Sequence, residues 1–317
     1  MIGSSVAGAL PRTQELIAKT RSFDRGRITE SELESAFREA TQVVVKGQTD
    51  AGLTRINGGM LRRQDLLRPF SAGLGGVEVG PMLRWFNNNT FFKAPIVKGE
   101  IKWKGTVTSD ETYIDLLPKG ISLKAVLPAP YTLAHLSHDT HYKDQAKLMK
   151  AYAVALNSEA KELEKKGFSE IQFSDPALVY MTTRPKSGGL RSIAEAVEIA
   201  TSGLKSKTVL QTFFGDAKPI LKEAAAWAID GVGVDLYETD PSSLKGLKVG
   251  VLSLGVVDAR NSVIEDPAEL AKLVTAVQKS ADAKGIVVST NSDMDFLTWD
   301  KAEEKIKALA KAAAELR

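Results

Sequence analysis

No cysteine occurs among the 317 residues. That excludes disulfides, thiol nucleophiles, iron–sulfur clusters and thiolate zinc sites. Histidine is almost as scarce: the three present all fall in HLSHDTH (135–141), so an all-imidazole metal site would need every one of them. No run approaches the ~20 apolar residues of a membrane span. The opening, MIGSSVAGALPRTQEL, lacks the apolar stretch of a signal peptide, so the expectation is a cytoplasmic protein with no membrane partner. Charge of one sign is also missing. Lys+Arg number 42 against 39 Asp+Glu, a net of +3, too little basic excess for a dedicated nucleic-acid binder. There is no G-x-S-x-G elbow, and neither GLGG (73–76) nor GVGVD (231–235) gives G-x-G-x-x-G between a strand and a helix. Gly231 and Gly233 read as close packing instead.

What is present is ordinary in amount, with 43% hydrophobic and 26% charged residues, and regular in order. β-branched runs alternate with helical spacing. Strands are predicted at 52–57, 121–127, 169–175, 207–214, 231–237, 247–257 and 285–290, with a first at 1–4. Helices are predicted at 12–22, 29–50, 143–165, 192–204, 216–229, 267–282 and 299–316. Thr29 and Glu32 make a capping box, Pro267 stands at a first turn, Gly167 is a stop, and Gly188–Gly189 make a turn. About eight buried strand–helix units predict an α/β fold, a single (β/α)8 TIM barrel over residues 1–317. APIVKGEIKWKGTV breaks the alternation and reads as a β-hairpin inserted at 94–107, turning at Lys98–Gly99.

Such barrels carry their chemistry at the carboxyl ends of the strands. The third strand then offers Pro128, Pro130 and Tyr131, and the fourth Ser174, Asp175 and Pro176. The fifth offers Gln211, Phe213 and Asp216, the sixth Asp235, Tyr237 and Glu238. Asp258, Arg260 and Asn261 end the seventh, and Asn291, Ser292 and Asp293 the eighth. Arg184, Lys186, Lys218 and Arg260 form a basic rim suited to an anionic ligand, or a set of solvated loop charges. His135 and His138 share a helical face, with His141 and Asp139 close by; solvated loop histidines are the plainer reading than a metal site.

Several segments, taken in order, resemble the cobalamin-independent methionine synthase family. They are Ile2-Gly3-Ser4 with Pro11-Arg12-Thr13, GQTDAGLTRINGGMLRRQDLLRPF (47–70), LRWFNNNTFFKAPIV (83–97), VLPAPYTLAHLS (126–137), IQFSDPALVY (171–180), LQTFFGD (210–216), GVGVDLYETD (231–240) and LSLGVVDARN (252–261). The departures are as informative. The resemblance puts the family's zinc ligands on Gln211, Phe213, Asp235 and Ser292, which are poor zinc donors or none, so no metal is expected in this chain. Its glycine–glutamate falls on Gly58-Gly59 and its aspartate–glutamate on Ser174-Asp175, which removes carboxylates expected near a substrate amino group. An unactivated thiol is a weak nucleophile, so this chain alone is not expected to methylate homocysteine by the family's route.

The resemblance, closest to the family's amino-terminal barrel, implies an accessory subunit in methionine biosynthesis. Such a subunit binds a methylated folate or pterin donor as substrate, holds no tightly bound cofactor, and works beside a zinc-bearing core. Substrate contacts are expected from Arg12, Arg63, Asp65, Trp85, Asn89, Tyr131, Gln211, Arg260 and Asn261, with Asp175, Asp235 and Asp258 as candidate acid–base groups. Trp85, Phe91, Phe92 and Trp103 offer stacking surface, or pack beneath the hairpin. Two other readings stay open: a metal-free methyltransferase or lyase acting alone, and a non-catalytic binder of a pterin or an amino acid.

Overall fold

The computed structural model describes residues 2–86, 88–185 and 189–317. The chain runs β1 (Ile2–Ser5), α1 (Gln14–Asp24), α2 (Glu30–Ala51), β2 (Arg55–Ile56), α3 (Arg68–Gly73), β3 (Gly75–Arg84) and β4 (Phe91–Lys102). It continues with β5 (Ser122–Pro128), α4 (Pro130–His135), β6 (His138–Asp139), α5 (Gln145–Lys165), β7 (Glu170–Ser174), α6 (Leu190–Thr201) and β8 (Lys207–Gln211). Last come α7 (Leu221–Ala225), β9 (Gly231–Asp235), β10 (Lys248–Val257), α8 (Pro267–Ser280), β11 (Asp282–Thr290) and α9 (Trp299–Glu315).

Eight strands form one parallel sheet in the order β1-β11-β10-β9-β8-β7-β5-β2. It curls until its edges meet: Thr54 N donates to Ser4 O at 3.2 Å and Ser4 N to Thr54 Oγ1 at 2.7 Å. The (β/α)8 barrel expected from the alternation is therefore the fold. The capping box at Thr29 and Glu32 is formed, Asp266 caps α8 ahead of Pro267, and Gly52 closes α2 in left-handed backbone.

The barrel interior is unusually polar. Arg55 Nε meets Glu170 Oε2 at 2.9 Å near the amino-terminal mouth. Above them the buried Lys124 ammonium donates to Val6 O and to Gln172 Oε1, the latter at 3.0 Å, which fastens the end of β1 to β5 and β7. Burial pushes the Lys124 amine down to about 8. Glycines let the strands approach. A Cβ on Gly255 would stand 2.5 Å from Asn291 Cα and 2.8 Å from Val234 O, both backbone atoms that cannot step aside. Gly255→Ala is therefore expected to cost about 2 kcal/mol through overpacking, seen as a lower urea midpoint at unchanged m.

Three sequence expectations need correction. The hairpin is not at 94–107: it is made by β3 and β4, with Trp85 N donating to Thr90 O across the turn at 2.9 Å. Lys98 and Gly99 lie inside β4. Gly99 is there because it crosses close to Gly76, where the register shifts, and two glycines at a crossing imitate turn chemistry. The strand β6 extends this small sheet, parallel to β4. The predicted helix at 216–229 shrinks to α7, since Pro219 lacks an N–H and disfavours helical backbone before it. The strand at 207–214 stops at Gln211 because Phe214 takes left-handed backbone, φ 68°.

Candidate functional site

The carboxyl ends of the barrel strands carry two clefts. One of about 590 Å³ lies over β7 to β10 and is lined by Tyr180, Arg184, Phe214, Asp216, Glu238 and Arg260 among others. The second, of about 430 Å³, lies over β1, β2 and β11 and includes Arg12, Arg63, Asp65, Asp293 and Asp295. Of the nine expected substrate residues, Arg260 lines the first cleft and Arg12, Arg63 and Asp65 the second, while the other five line neither.

At the ends of β7, β8 and β9, three buried polar groups each keep one atom without a hydrogen bond. Asp175 accepts from Thr132 Oγ1 at 2.5 Å through Oδ1, and its Oδ2 has no hydrogen-bond partner. Gln211 donates from Nε2 to Thr212 O at 3.1 Å, leaving Oε1 unpartnered. Asp235 accepts from Tyr237 N at 2.9 Å through Oδ1; its Oδ2 makes no hydrogen bond and lies 3.7 Å from the Arg260 guanidinium. All three side chains are at most 1% exposed. Burial pushes Asp175 up to about 7 against the Thr132 hydrogen bond, and Asp235 up to about 6 against the pull of Arg260. Gly233 makes room for the amide, since a Cβ there would lie 1.9 Å from Gln211 Oε1.

Arg260 is the hub of the acidic side. It meets Glu238 Oε1 at 2.8 Å and Asp258 Oδ1 at 3.1 Å in addition to Asp235. Although burial works the other way, hydrogen bonds from Arg260 hold Asp258 below the usual carboxylate range. An anionic ligand at Arg260 therefore competes with three carboxylates already there. Asn261 Nδ2 donates to Asp258 Oδ2 at 2.6 Å and belongs to the same network.

In the second cleft, Arg12 donates from Nε to Leu61 O at 2.9 Å and Arg63 from Nη1 to Val126 O at 2.6 Å. Burial lowers both guanidinium pKa values. Asp293 accepts from Ala9 N at 2.8 Å, and its enclosure raises its carboxyl. Asp65 is spent on structure: it accepts from Leu67 N, Arg68 N, Arg68 Nε and Lys93 N, tying α3 to β4. Trp85 is buried edge-on against Phe86 and Phe92. Tyr131 donates to Thr183 O at 2.5 Å, and Asn89 is exposed in the hairpin turn. Arg184 and Lys218 are exposed; Lys186 and Gly188 lie outside the described residues.

The histidine window has a structural explanation. Asp139 accepts from the backbone of His141, Tyr142 and Lys143, fixing the turn before α5, and the His135 ring lies tilted 5.5 Å from Tyr131. Among the described residues no group of three or more His, Cys, Asp or Glu is placed to hold a metal ion. The set at the resemblance's zinc positions does not fit zinc. Phe213 has no donor atom, Gln211 and Ser292 offer neutral oxygens, and only Asp235 is a ligand of the right type.

The sequence reading missed the aromatic cluster over the mouth. Phe86, from the hairpin turn, packs at 5.1 Å from Tyr180 and 6.0 Å from Phe214; Phe214 also meets Phe213 at 4.7 Å and Phe296 at 6.3 Å. Phe86 and Phe214 both hold left-handed backbone, φ 51° and 68°, an outlier for bulky side chains. The Phe213-Phe214 pair at a strand end was the available signal.

Comparison with known proteins agrees with this fold. Residues 62–282 match the family described as cobalamin-independent synthase, N-terminal domain. Methionine synthase of Saccharolobus solfataricus is 24% identical over 324 residues, covering 100% of this chain and 95% of that protein. Methionine synthase of Thermococcus kodakarensis is 25% identical over 337 residues, covering 100% and 94%. Among solved structures, a B12-independent methionine synthase from Shewanella sp. W3-18-1, in complex with selenomethionine, superposes with a TM-score of 0.82 at 23% identity, over 99% of this chain and 97% of that one. Among the described residues no helix is long and apolar enough to cross a membrane.

Proposed function

Since the chain belongs to the cobalamin-independent synthase N-terminal domain family, we propose that it serves methionine biosynthesis as a donor-binding companion to a zinc-bearing barrel. In this reading it binds a methylated folate or pterin, and the partner activates the homocysteine thiol. The observation that carries it is the residue set at the family's metal positions. Gln211, Phe213, Asp235 and Ser292 are all buried, and with Asp235 the sole zinc-type ligand among them the set cannot hold zinc and lower a thiol pKa. The carboxyl face keeps two clefts and a wall of polar groups, as a binding role requires.

A second reading has its own support. Asp175 and Asp235 stand near pKa 7 and 6, where a carboxyl exchanges protons at neutral pH, so a metal-free enzyme is chemically possible. A methyl-transfer assay separates the two. Purified protein is given homocysteine, zinc and a methyl-pterin donor, with and without a zinc-bearing core protein from the same organism. The companion reading expects methionine only when both proteins are present, faster than the core alone. Methionine from this chain alone would replace it with the metal-free enzyme. No effect on the core would end the companion reading.

A further inference from the structure

The amino-terminal mouth of the barrel, at the opposite end from both clefts, is hollow and charged. Bulky branched side chains normally fill the lowest inner layer of such a barrel. The register here puts Gly3, Ser122, Gly231 and Gly285 on the inner face of that layer, beside Arg55, Glu170 and Lys207. A cavity of about 560 Å³ results, lined by Gly3, Arg55, Lys207, Asp230, Lys284 and Gly285 among others. Gly3 is needed there. A Cβ would lie 1.9 Å from Arg55 Nη1, so the missing side chain is what lets the guanidinium reach the mouth.

The charge at the mouth is unbalanced. Arg55 Nε meets Glu170 Oε2 at 2.9 Å and Lys207 Nζ meets Asp230 Oδ1 at 2.9 Å, while Lys284 is exposed and in no ion pair among the described residues. Arg55 spends only Nε on that pair, and Nη1 and Nη2 make no hydrogen bond to a described residue. Behind them Lys124, in register with Glu170, adds a further buried positive charge. The cavity therefore favours an anion. Its donors come from β2, β8 and β11, which are three sides of the mouth. A carboxylate offers two oxygens in one plane, enough for one fork. A phosphate monoester offers three, spread tetrahedrally, with nearly two negative charges at neutral pH. No histidine among the described residues lines the cavity, and Asp230 is occupied by Lys207 Nζ, Thr208 N and Thr208 Oγ1. Nothing there is placed to move a proton, so the site binds and does not catalyse.

We propose that the amino-terminal mouth of the barrel binds a small organic phosphate, its phosphate group held by Arg55 and Lys284 with Lys207 on the third side. The body of the ligand lies along the aliphatic wall of Val251 and Val287. The site is separate from the clefts at the carboxyl ends, and it stands whether or not the chain serves as a donor-binding companion. A second basic cavity supplies the comparison. It lies between α7 and the start of β10 and is lined by Lys222, Lys245 and Lys248, with no arginine fork.

The probes are inorganic phosphate, glycerol 3-phosphate and acetate, titrated calorimetrically at constant ionic strength in chloride buffer. Wild type is expected to bind both phosphates at least about ten-fold more tightly than acetate. Lys284→Ala, at an exposed position, should weaken both phosphates about five-fold, and Lys284→Glu more. Arg55→Lys keeps the charge facing Glu170 but loses the fork, and should weaken them about ten-fold. Should Arg55→Lys fail to fold, the two Lys284 variants carry the test. Lys245→Ala combined with Lys248→Ala should move neither phosphate more than about two-fold. No heat with either phosphate, equal affinity for acetate, or affinity unmoved by both Lys284 variants would each overturn the proposal. So would an equal loss in the double variant at Lys245 and Lys248, the mark of general attraction to basic surface. None of these readouts involves methyl transfer, so failure of the companion reading would leave them unchanged.

Discussion

Glu159→Ala is expected to destabilise the protein by about 4 kcal/mol, the largest effect of any single polar substitution considered. Glu159 is fully buried on α5, and its two oxygens accept five hydrogen bonds: from Trp103 Nε1, Val107 N, Thr108 N, Thr108 Oγ1 and Ser109 N, at 2.7 to 3.0 Å. Three consecutive backbone amides converge on one carboxylate, an anion cradle filled by the protein itself. Truncation leaves those donors buried without partners, and each costs about 1–3 kcal/mol if it stays buried. The segment will instead lift from α5 and take up water, which limits the loss. Glu159→Gln should cost about half as much, since one end of the amide still accepts while the other meets N–H groups it cannot satisfy. Urea unfolding of the two variants checks this. A loss under 1 kcal/mol in both would show that the 103–109 segment is not anchored there.

That clamp marks where sequence reading runs out. The barrel was legible because parallel strands covered on both faces become β-branched runs such as GIVVST and LKVGVLSLGVV, and because caps such as Thr29 and Pro267 are local signals. The hairpin was misplaced because its true turn, at Trp85 to Thr90, carries no Asn-Gly or Asp-Gly pair, while Lys98–Gly99 imitates one. The strand ends gave the site's address, and Asp175, Gln211, Asp235, Asp258 and Arg260 all lie there. Their partners were not legible. Arg260 is matched by carboxylates after β9 and β10, so a residue that looks cationic in sequence stands in an acidic network. Nor does a sequence show which oxygen of a carboxyl stays unpaired, or that Phe86 and Phe214 meet from segments 128 positions apart.

The second large effect is a pH-dependent gain. Asp175→Asn is expected to be more stable than wild type at pH 8, by about 2–4 kcal/mol, and to lose that advantage by pH 4. Burial raises the Asp175 carboxyl from 3.8 to about 7. A carboxyl raised on folding stabilises fully below its unfolded pKa, and that contribution is lost as pH rises through the folded one. Wild type should therefore weaken between about pH 4 and 7 through this residue. The amide keeps the oxygen that Thr132 Oγ1 donates to and carries no charge at any pH. Its new N–H₂ stands where Oδ2 was unpartnered, which costs about 1 kcal/mol and places the net gain near the lower end of the range. Asp235→Asn should show a smaller gain, because Arg260 already offsets part of that charge. Urea midpoints at pH 4, 6 and 8 decide it: the variant and wild-type curves should diverge as pH rises, and parallel curves would mean that Asp175 ionises as freely folded as unfolded.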